Sequence, residues 1–440
     1  MLFAIFGAYV SLMVESAKLT SLSEVKNPYS AEEAAIKSSM LQKSVAGIFR
    51  SLQPSKGDTL SKTSVKPDLS VLRKLELKNS DPQAERLLVA AREEYGLKQK
   101  QNVLEDLSRQ GDPADRAFVA IYDFKTLSRE KAAALKSQLP DDEFAYRLAK
   151  VHASDKAGDA SAREYMSPQW KGYAFVIVVI GALGMAAIGV ILWAIYLSFR
   201  TSGKWVPLGH PAEPISKGEA DRFAYRAGVL MTAFMAIEFL LGALLRHSSI
   251  AIQTFGIFVV VLAVVFAIHK VPALGLQISL ARIGVSRDRL KTNLVWGLAG
   301  YTAMIPVLLI FLMVGSILMK FFGPSSHPIT EVIQAGPNPF TIVALYFGAA
   351  VAAPIWEEIM FRGTLLPAVA GALGRPIWGI LISSFVFAAI HPQGVPLWLA
   401  LGSIGAMNAC LAYQTKSLIP CMVVHALNNA VVLTFALLIS

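Results

Sequence analysis

The order of apolar and polar positions divides this chain near residue 170. Beyond Lys171, uncharged stretches long enough to cross a bilayer follow one another. Gly172 to Phe199 carries 28 uncharged residues, and Ala227 to Leu245 is interrupted only by Glu238. His247 to His269 and Thr292 to Met319 form the third and fourth stretches. A fifth begins near Phe340 and runs into a charged cluster at Glu357. Pro376 to Thr415 is 40 uncharged residues, read as two spans broken at His391-Pro-Gln-Gly-Val-Pro396, and Ser417 to Ser440 closes the series. The pattern predicts an all-α polytopic membrane helical bundle of about eight transmembrane helices. Counting the helical rise from these span starts puts Glu357 near the cytoplasmic end and His391 nearer the opposite side. Either the span boundaries lie several residues from these positions, or Pro354 and the Pro392–Pro396 segment bend the helices to bring the two together.

The first 170 residues follow another pattern. Met1 to Val14 is apolar apart from Ser11 and too short to span comfortably, so residues 1–17 read as a signal-peptide core or short anchor. Two features oppose a standard cleaved signal: no basic residue precedes the run, and Glu15 sits at −3 if cleavage follows Ala17. A misassigned start is the alternative. Residues 18–170 read as a soluble, mostly helical domain. Ser30-Ala-Glu-Glu33 resembles a capping box opening a helix to Leu52, Asp81-Pro82 opens one through Glu94, and Asp141 opens one through Val151. Ser51 to Asp68 reads as a linker. Residues 171–335 then hold the first four spans, and residues 336–440 hold the last four.

Composition sharpens this division. The whole chain is 54% hydrophobic and 16% charged, where a soluble domain carries roughly 25% charged residues. Residues 1–170 hold 25 Lys/Arg and 23 Asp/Glu, whereas residues 171–440 hold 16 and 8. The net charge of +10 therefore comes mainly from basic residues flanking membrane spans, and a nucleic-acid partner is not indicated. Arg200, Lys204, Lys217, Arg222 and Arg226 fill one loop; Lys270, Arg282, Arg287, Arg289 and Lys291 fill the loop two spans later. The positive-inside rule makes both loops cytoplasmic, which by parity puts the soluble domain outside the cytoplasm. That domain has no cysteine, and its role reads as blank apart from possible docking of a protein partner. Cys410 and Cys421, the two cysteines present, exclude a disulfide framework or zinc knuckle.

The last 120 residues contain six charged side chains, and three of them fall within Glu357-Glu358-Ile-Met-Phe-Arg362. A charge inside an apolar span costs about 2.5–3.5 kcal/mol on the lenient insertion scale. Glu358 and Arg362 are four apart with the acid first, the favourable orientation for an ion pair. Glu357 points about 100° round the helix, leaving it to accept a proton from water. A juxtamembrane ion pair reaching the headgroups is the bland alternative. Phe387-Ala-Ala-Ile-His391 ends the sixth span, and His425-Ala-Leu-Asn-Asn429 lies within the eighth. His425 and Asn429 share a helix face and could donate to a developing oxyanion, or could bridge helices. Glu238 and Asn408 read as structural hydrogen-bonding groups, and His247, His269 and His327 as interfacial. Leu401-Gly-Ser-Ile-Gly405 lacks the surroundings of a serine-protease turn.

Glu-Glu-x-x-x-Arg, Phe-x-x-x-His and His-x-x-x-Asn, in this order on successive apolar segments, resemble the CPBP family. These are the CAAX prenyl protease type II and bacteriocin-processing (Abi) intramembrane peptidases. Ala353-Pro354-Ile355, Phe361-Arg362-Gly363 and Ser383-Ser384 agree with the resemblance, which covers roughly Phe340 to Val432. It implies endoproteolysis of membrane-embedded or lipidated protein substrates. Glu357 and His391 would activate water, His425 and Asn429 would stabilise the oxyanion, and Glu358 and Arg362 would support them. Glutamate-activated water without metal is the first reading; zinc on Glu357, His391 and His425 is the alternative. Two non-protease readings compete: a scaffold or immunity-type binding protein keeping the fold, and a proton-relay transporter. Intact motifs weigh against the first, and the span pattern shows no inverted repeat for the second.

Overall fold

The computed structural model describes residues 29–52, 69–78, 81–159, 161, 163, 169–202, 216–268, 283–285, 289–322, 328–334 and 337–439. The apolar segment Met1–Val14, nearly all of the Ser51–Asp68 linker, His269, His327, Lys204, Lys270, Arg282 and Arg287 lie outside them. Helices account for all regular structure among the described residues. They form two compact units, one reaching to Val179 and the other running from Ile180 to Thr434.

Seven helices build the first unit: α1 (Ser30–Leu52), α2 (Leu69–Glu76), α3 (Pro82–Glu94), α4 (Gln101–Arg109), α5 (Pro113–Asp123), α6 (Arg129–Lys136) and α7 (Phe144–Lys156). Three begin with a side-chain cap. Asp81 accepts from the Gln83 N–H ahead of α3, Asp112 from the Ala114 N–H ahead of α5, and Ser128 from the Lys131 N–H ahead of α6. Proline follows both aspartates, where its missing N–H is no loss. The start expected at Asp141 falls instead at Phe144, because Asp141 is engaged elsewhere. Its carboxylate accepts from Lys150 at 2.6 Å, and its carbonyl accepts from Arg147. Leu87, Leu107, Phe118, Ile121 and Leu148 are fully buried where the helices meet.

The unit also buries Glu94 at the end of α3. Its carboxylate accepts from Lys43 at 2.7 Å and Arg163 at 3.2 Å, and lies 3.2 Å from His152 Nε2. His152 Nδ1 in turn lies 3.0 Å from the Tyr122 hydroxyl. One carboxylate thus joins α1, α3 and α7 with Arg163 beyond them.

Membrane-type helices follow: α8 (Gln169–Thr201), α9 (Lys217–Leu244), α10 (Ile250–Ile268), α11 (Leu290–Phe322), the short α12 (Pro328–Gln334), α13 (Pro339–Ala372), α14 (Pro376–Ala389), α15 (Trp398–Thr415) and α16 (Ile419–Ile439). Seven are long and apolar enough to cross a bilayer, and the chain is a multi-pass integral membrane protein. The sixth expected span, α14, is the shortfall at 14 residues. That length rises about 21 Å against a hydrocarbon core of about 30 Å. The expected depths of Glu357 and His391 change accordingly. α13 continues past the charged cluster to Ala372, so Glu357 lies near its middle, and His391 follows a helix that stops short of a full crossing. The helix can continue because Arg362 is neutralised inside the bundle, as described next.

Candidate active site

The acid pair sits between two π-helical turns of α13, Phe347–Ala352 and Phe361–Leu365. Such turns interrupt the regular ladder and recur at functional sites. Here the first has a local cause. The Ala353 N–H reaches back to the Gly348 carbonyl, and the next residue, Pro354, has no N–H to offer Ala349. Asn429 of α16 supplies the missing donor, its Nδ2 lying 2.8 Å from the Ala349 carbonyl oxygen.

Glu358 is fully buried, and three donors converge on its Oε1. Arg362 Nη1 lies at 3.1 Å, Asn408 Nδ2 of α15 at 2.8 Å and His425 Nδ1 of α16 at 2.9 Å. The ion pair expected from the four-residue spacing is therefore present, with two further donors. Arg362 also donates from Nη2 to the Gly405 carbonyl at 3.0 Å, and its guanidinium lies 4.6 Å from the Phe387 ring centre. Glycine at 405 permits this close approach: a Cβ there would meet Ser384 Cα and Cβ at 3.0 Å and Arg362 Nη2 at 3.3 Å, closer than ordinary contact. These contacts offset part of the desolvation of a buried ion pair, while Glu358 Oε2, Arg362 Nε and Asn408 Oδ1 stay buried without a hydrogen bond.

Glu357 is placed differently. Its side chain keeps 16% of its exposure where Glu358 keeps none. Its Oε2 lies 3.8 Å from His425 Nε2, beyond hydrogen-bond distance, and has no hydrogen-bond partner in the protein. One imidazole thus faces both acids. Its Nδ1–H is given to the ionised partner of Arg362, which in the neutral ring leaves Nε2 unprotonated on the Glu357 side.

His391 follows the end of α14. Its Nδ1 lies 2.6 Å from the Phe387 carbonyl, which can only accept, so Nδ1 carries the proton and Nε2 is the basic atom of the neutral ring. The Phe387 ring lies 4.6 Å from the His391 ring and 5.5 Å from that of His425. Direct contacts thus join Glu358, Arg362, Asn408 and His425, with Glu357 beside them. Asn429 is tied to the π turn preceding the acids, and the rings of His391 and His425 both lie against Phe387.

Residues 339–431 match the family model of type II CAAX prenyl endopeptidases, Rce1-like. All three motifs fall inside this Rce1-like segment, which is about a fifth of the chain. At the level of the family, the match supports a CAAX-type intramembrane protease. No curated protein and no solved structure matches the chain.

Among the described residues, no group of three His, Cys, Asp or Glu side chains is arranged to hold a metal ion. The Nδ1 hydrogen bonds of His391 and His425 leave Nε2 of each ring free, as in a metal-ligating histidine, but the two rings and Glu357 are not grouped to hold an ion in this arrangement.

Sequence reasoning passed over Asn408 as a helix-bridging group, although it reaches the site acid, and missed Gly405 as the acceptor for Arg362. The signal available for Asn408 was its type, an amide alone in an apolar span.

Proposed function

We propose that the chain is an intramembrane endopeptidase that hydrolyses peptide bonds in membrane-embedded or lipidated protein substrates by glutamate-activated water. The observation that carries this reading is the contrast within the acid pair. Glu358 is wholly buried and takes three donors on Oε1, though none on Oε2, whereas Glu357 keeps partial exposure and holds its Oε2 without a hydrogen bond, 3.8 Å from an imidazole. A carboxylate kept uncommitted beside an imidazole suits proton abstraction from water, a contribution of typically about 10²–10⁴ in rate.

Glu357 takes a proton from the attacking water, with His391 Nε2 as the second basic atom. His425 Nε2, once protonated, donates to the tetrahedral oxyanion. Asn429 uses one amide hydrogen on Ala349 and has a second for the same oxyanion. Arg362, Asn408 and Glu358 hold His425 by its Nδ1. The family's printed name, a prenyl endopeptidase, makes prenylated peptides the first substrates to try. The basic residues Arg200, Lys217, Arg222 and Arg226 support a cytoplasmic loop between α8 and α9, which puts the N-terminal module outside the cytoplasm.

The test is cleavage of prenylated, acylated and unmodified fluorogenic peptides by the purified protein and by Glu357→Ala in detergent. Cleavage by the wild type alone is the expected result. Equal cleavage by both proteins, or by neither across the set, would instead favour a non-catalytic scaffold or immunity-type binding protein.

A further inference from the structure

Glu238 lies on α9, a hundred residues before the segment that carries the three motifs. It is the one charged residue between Ala227 and Leu245, so its position inside a span asks for a use. Packing brings it to the site. Phe234 of α9 stacks on Trp356 of α13, ring centres 4.3 Å apart and planes 16° from parallel. Glu238 is one turn beyond Phe234 on the same helix face, and Glu357 is the residue after Trp356. The two carboxylates interact electrostatically, and Glu238 is half-buried.

What surrounds the two acids is mostly apolar. Phe234, Trp356, Val261 and Val265 are buried there, with Ile237 and Ile257 packed against them. α10 carries no titratable side chain, and neither does the Leu366–Ala372 turn of α13. Of the charged groups that face them, Glu358 and Arg362 are committed to each other, and His425 gives its Nδ1 to Glu358. Two ionised carboxylates side by side in such surroundings repel, and one proton between them removes a charge.

We propose that Glu238 is a further catalytic residue, the general acid that protonates the leaving amine. The inference rests on the protease reading above. Water oxygen bonds to the scissile carbonyl carbon, and its proton passes to ionised Glu357. The tetrahedral oxyanion then re-forms the carbonyl as the carbon–nitrogen bond breaks. The nitrogen keeps the bonding pair and takes the proton of Glu238. Products are a carboxylic acid and an amine, with Glu357 protonated and Glu238 ionised. Passage of that proton from Glu357 to Glu238 restores the starting state. One water is consumed, and no oxidant or metal is needed.

An amine needs a proton to leave, whereas nitrophenolate does not. The test therefore compares a cleavable peptide with the p-nitrophenyl ester of its acyl half, using full-length wild type, Glu238→Gln and Glu238→Asp. For Glu238→Gln the expected result is a fall of about 10² or more in kcat on the peptide with KM unchanged, and most ester hydrolysis retained. Glu238→Asp keeps an acid on a shorter stem and recovers part of the peptide activity. Unchanged peptide cleavage in Glu238→Gln would overturn the proposal. So would an equal loss on both substrates with a wild-type melting temperature, and in both cases the protease reading would stand. A wild type inert on both substrates would remove the protease reading and this inference with it.

Discussion

The side-chain amide of Asn429 donates to the main-chain carbonyl of Ala349 at 2.8 Å, a carbonyl that α13 leaves without a partner because residue 354 is proline. The proposed oxyanion donor and a backbone defect 80 residues apart in the chain are thereby coupled, and the acid pair follows the defect within one turn. Asn429→Ala leaves that carbonyl unsatisfied, which costs about 1–3 kcal/mol. Adding Pro354→Ala supplies a backbone N–H in its place. A double-mutant cycle on thermal unfolding in detergent should show the second substitution restoring part of what the first removed. Additive losses would mean that proline is not the reason Asn429 is needed.

The two adjacent glutamates should separate cleanly by substitution. Glu357→Gln keeps the shape of a side chain that the fold does not use, so melting should stay near wild type while peptide cleavage falls by about 10²–10⁴. Glu358→Gln removes the charge opposite the buried Arg362, and breaking a buried pair this way costs about 3–5 kcal/mol. Melting and kinetics measured side by side decide it; a Glu357→Gln protein as unstable as Glu358→Gln would count against the division of labour.

Asn408 should behave as a positioning residue. Asn408→Leu removes one of three donors to Glu358 Oε1, worth about 1.5–3 kcal/mol for a hydrogen bond to a charged group. Asn408→Asp places a second carboxylate against the first and should be worse. The loss should appear in kcat more than KM, because the amide reaches substrate only through Glu358 and His425. A change confined to KM would argue that it contacts substrate directly.

Gly405→Ala tests the seat of Arg362. The added methyl would stand 3.0 Å from Ser384 Cα and Cβ, and overpacking of this kind costs about 1–3 kcal/mol. Ser384→Gly removes the Cβ contact but not the Cα one, so the paired substitution should recover part of the stability. A wild-type melting temperature for Gly405→Ala alone would mean that α14 and α15 are looser than their contacts indicate.

The N-terminal module should carry an acid-sensitive fastener in Glu94. Burial pushes its carboxyl up, but the His152 hydrogen bond and the charges of Arg163 and Lys43 outweigh this and hold it down from 4.5 to about 2. A group depressed on folding contributes stability that is present above its unfolded value. That stability, about 3 kcal/mol at most, is lost as pH falls from about 5 toward 2. Hydrogen exchange of α3 and α7 in the full-length protein at pH 6 and pH 3 should show this loss, and Glu94→Gln should flatten the dependence.

Local signals carried much of this protein. Asp81-Pro82 marks a helix start because the cap and the proline act within one turn, and α3 begins there. Glu358 and Arg362 announce their pairing because four residues is one helical turn. Where the local reading slipped, the correction came from distant contacts. Glu357 looked like the end of a span because a run of charges normally is one, yet α13 continues because Asn408, Gly405 and His425 absorb those charges. α14 is a different case: the break read at His391–Pro396 is present, with Gly394 at φ +75°, and what the reading passed over is that only 14 residues remain before it.

From the sequence by itself come the membrane class, the helical content, the charged N-terminal module, and the three motifs with their order. Hydropathy and helical spacing depend on neighbours within a turn or a span, and those are written consecutively. Only the tertiary structure decided which groups meet. Asn408 lies 50 residues from Glu358, Asn429 lies 80 from Ala349, and Glu238 approaches Glu357 from a helix outside the matched segment. Asn408 and Glu238 are each a single polar residue in an apolar run with no spacing to mark it, and the spacing that marks Asn429 points to His425 and not to Ala349. Each partner is set by the packing of whole helices, as Phe234 on Trp356 sets the approach of Glu238.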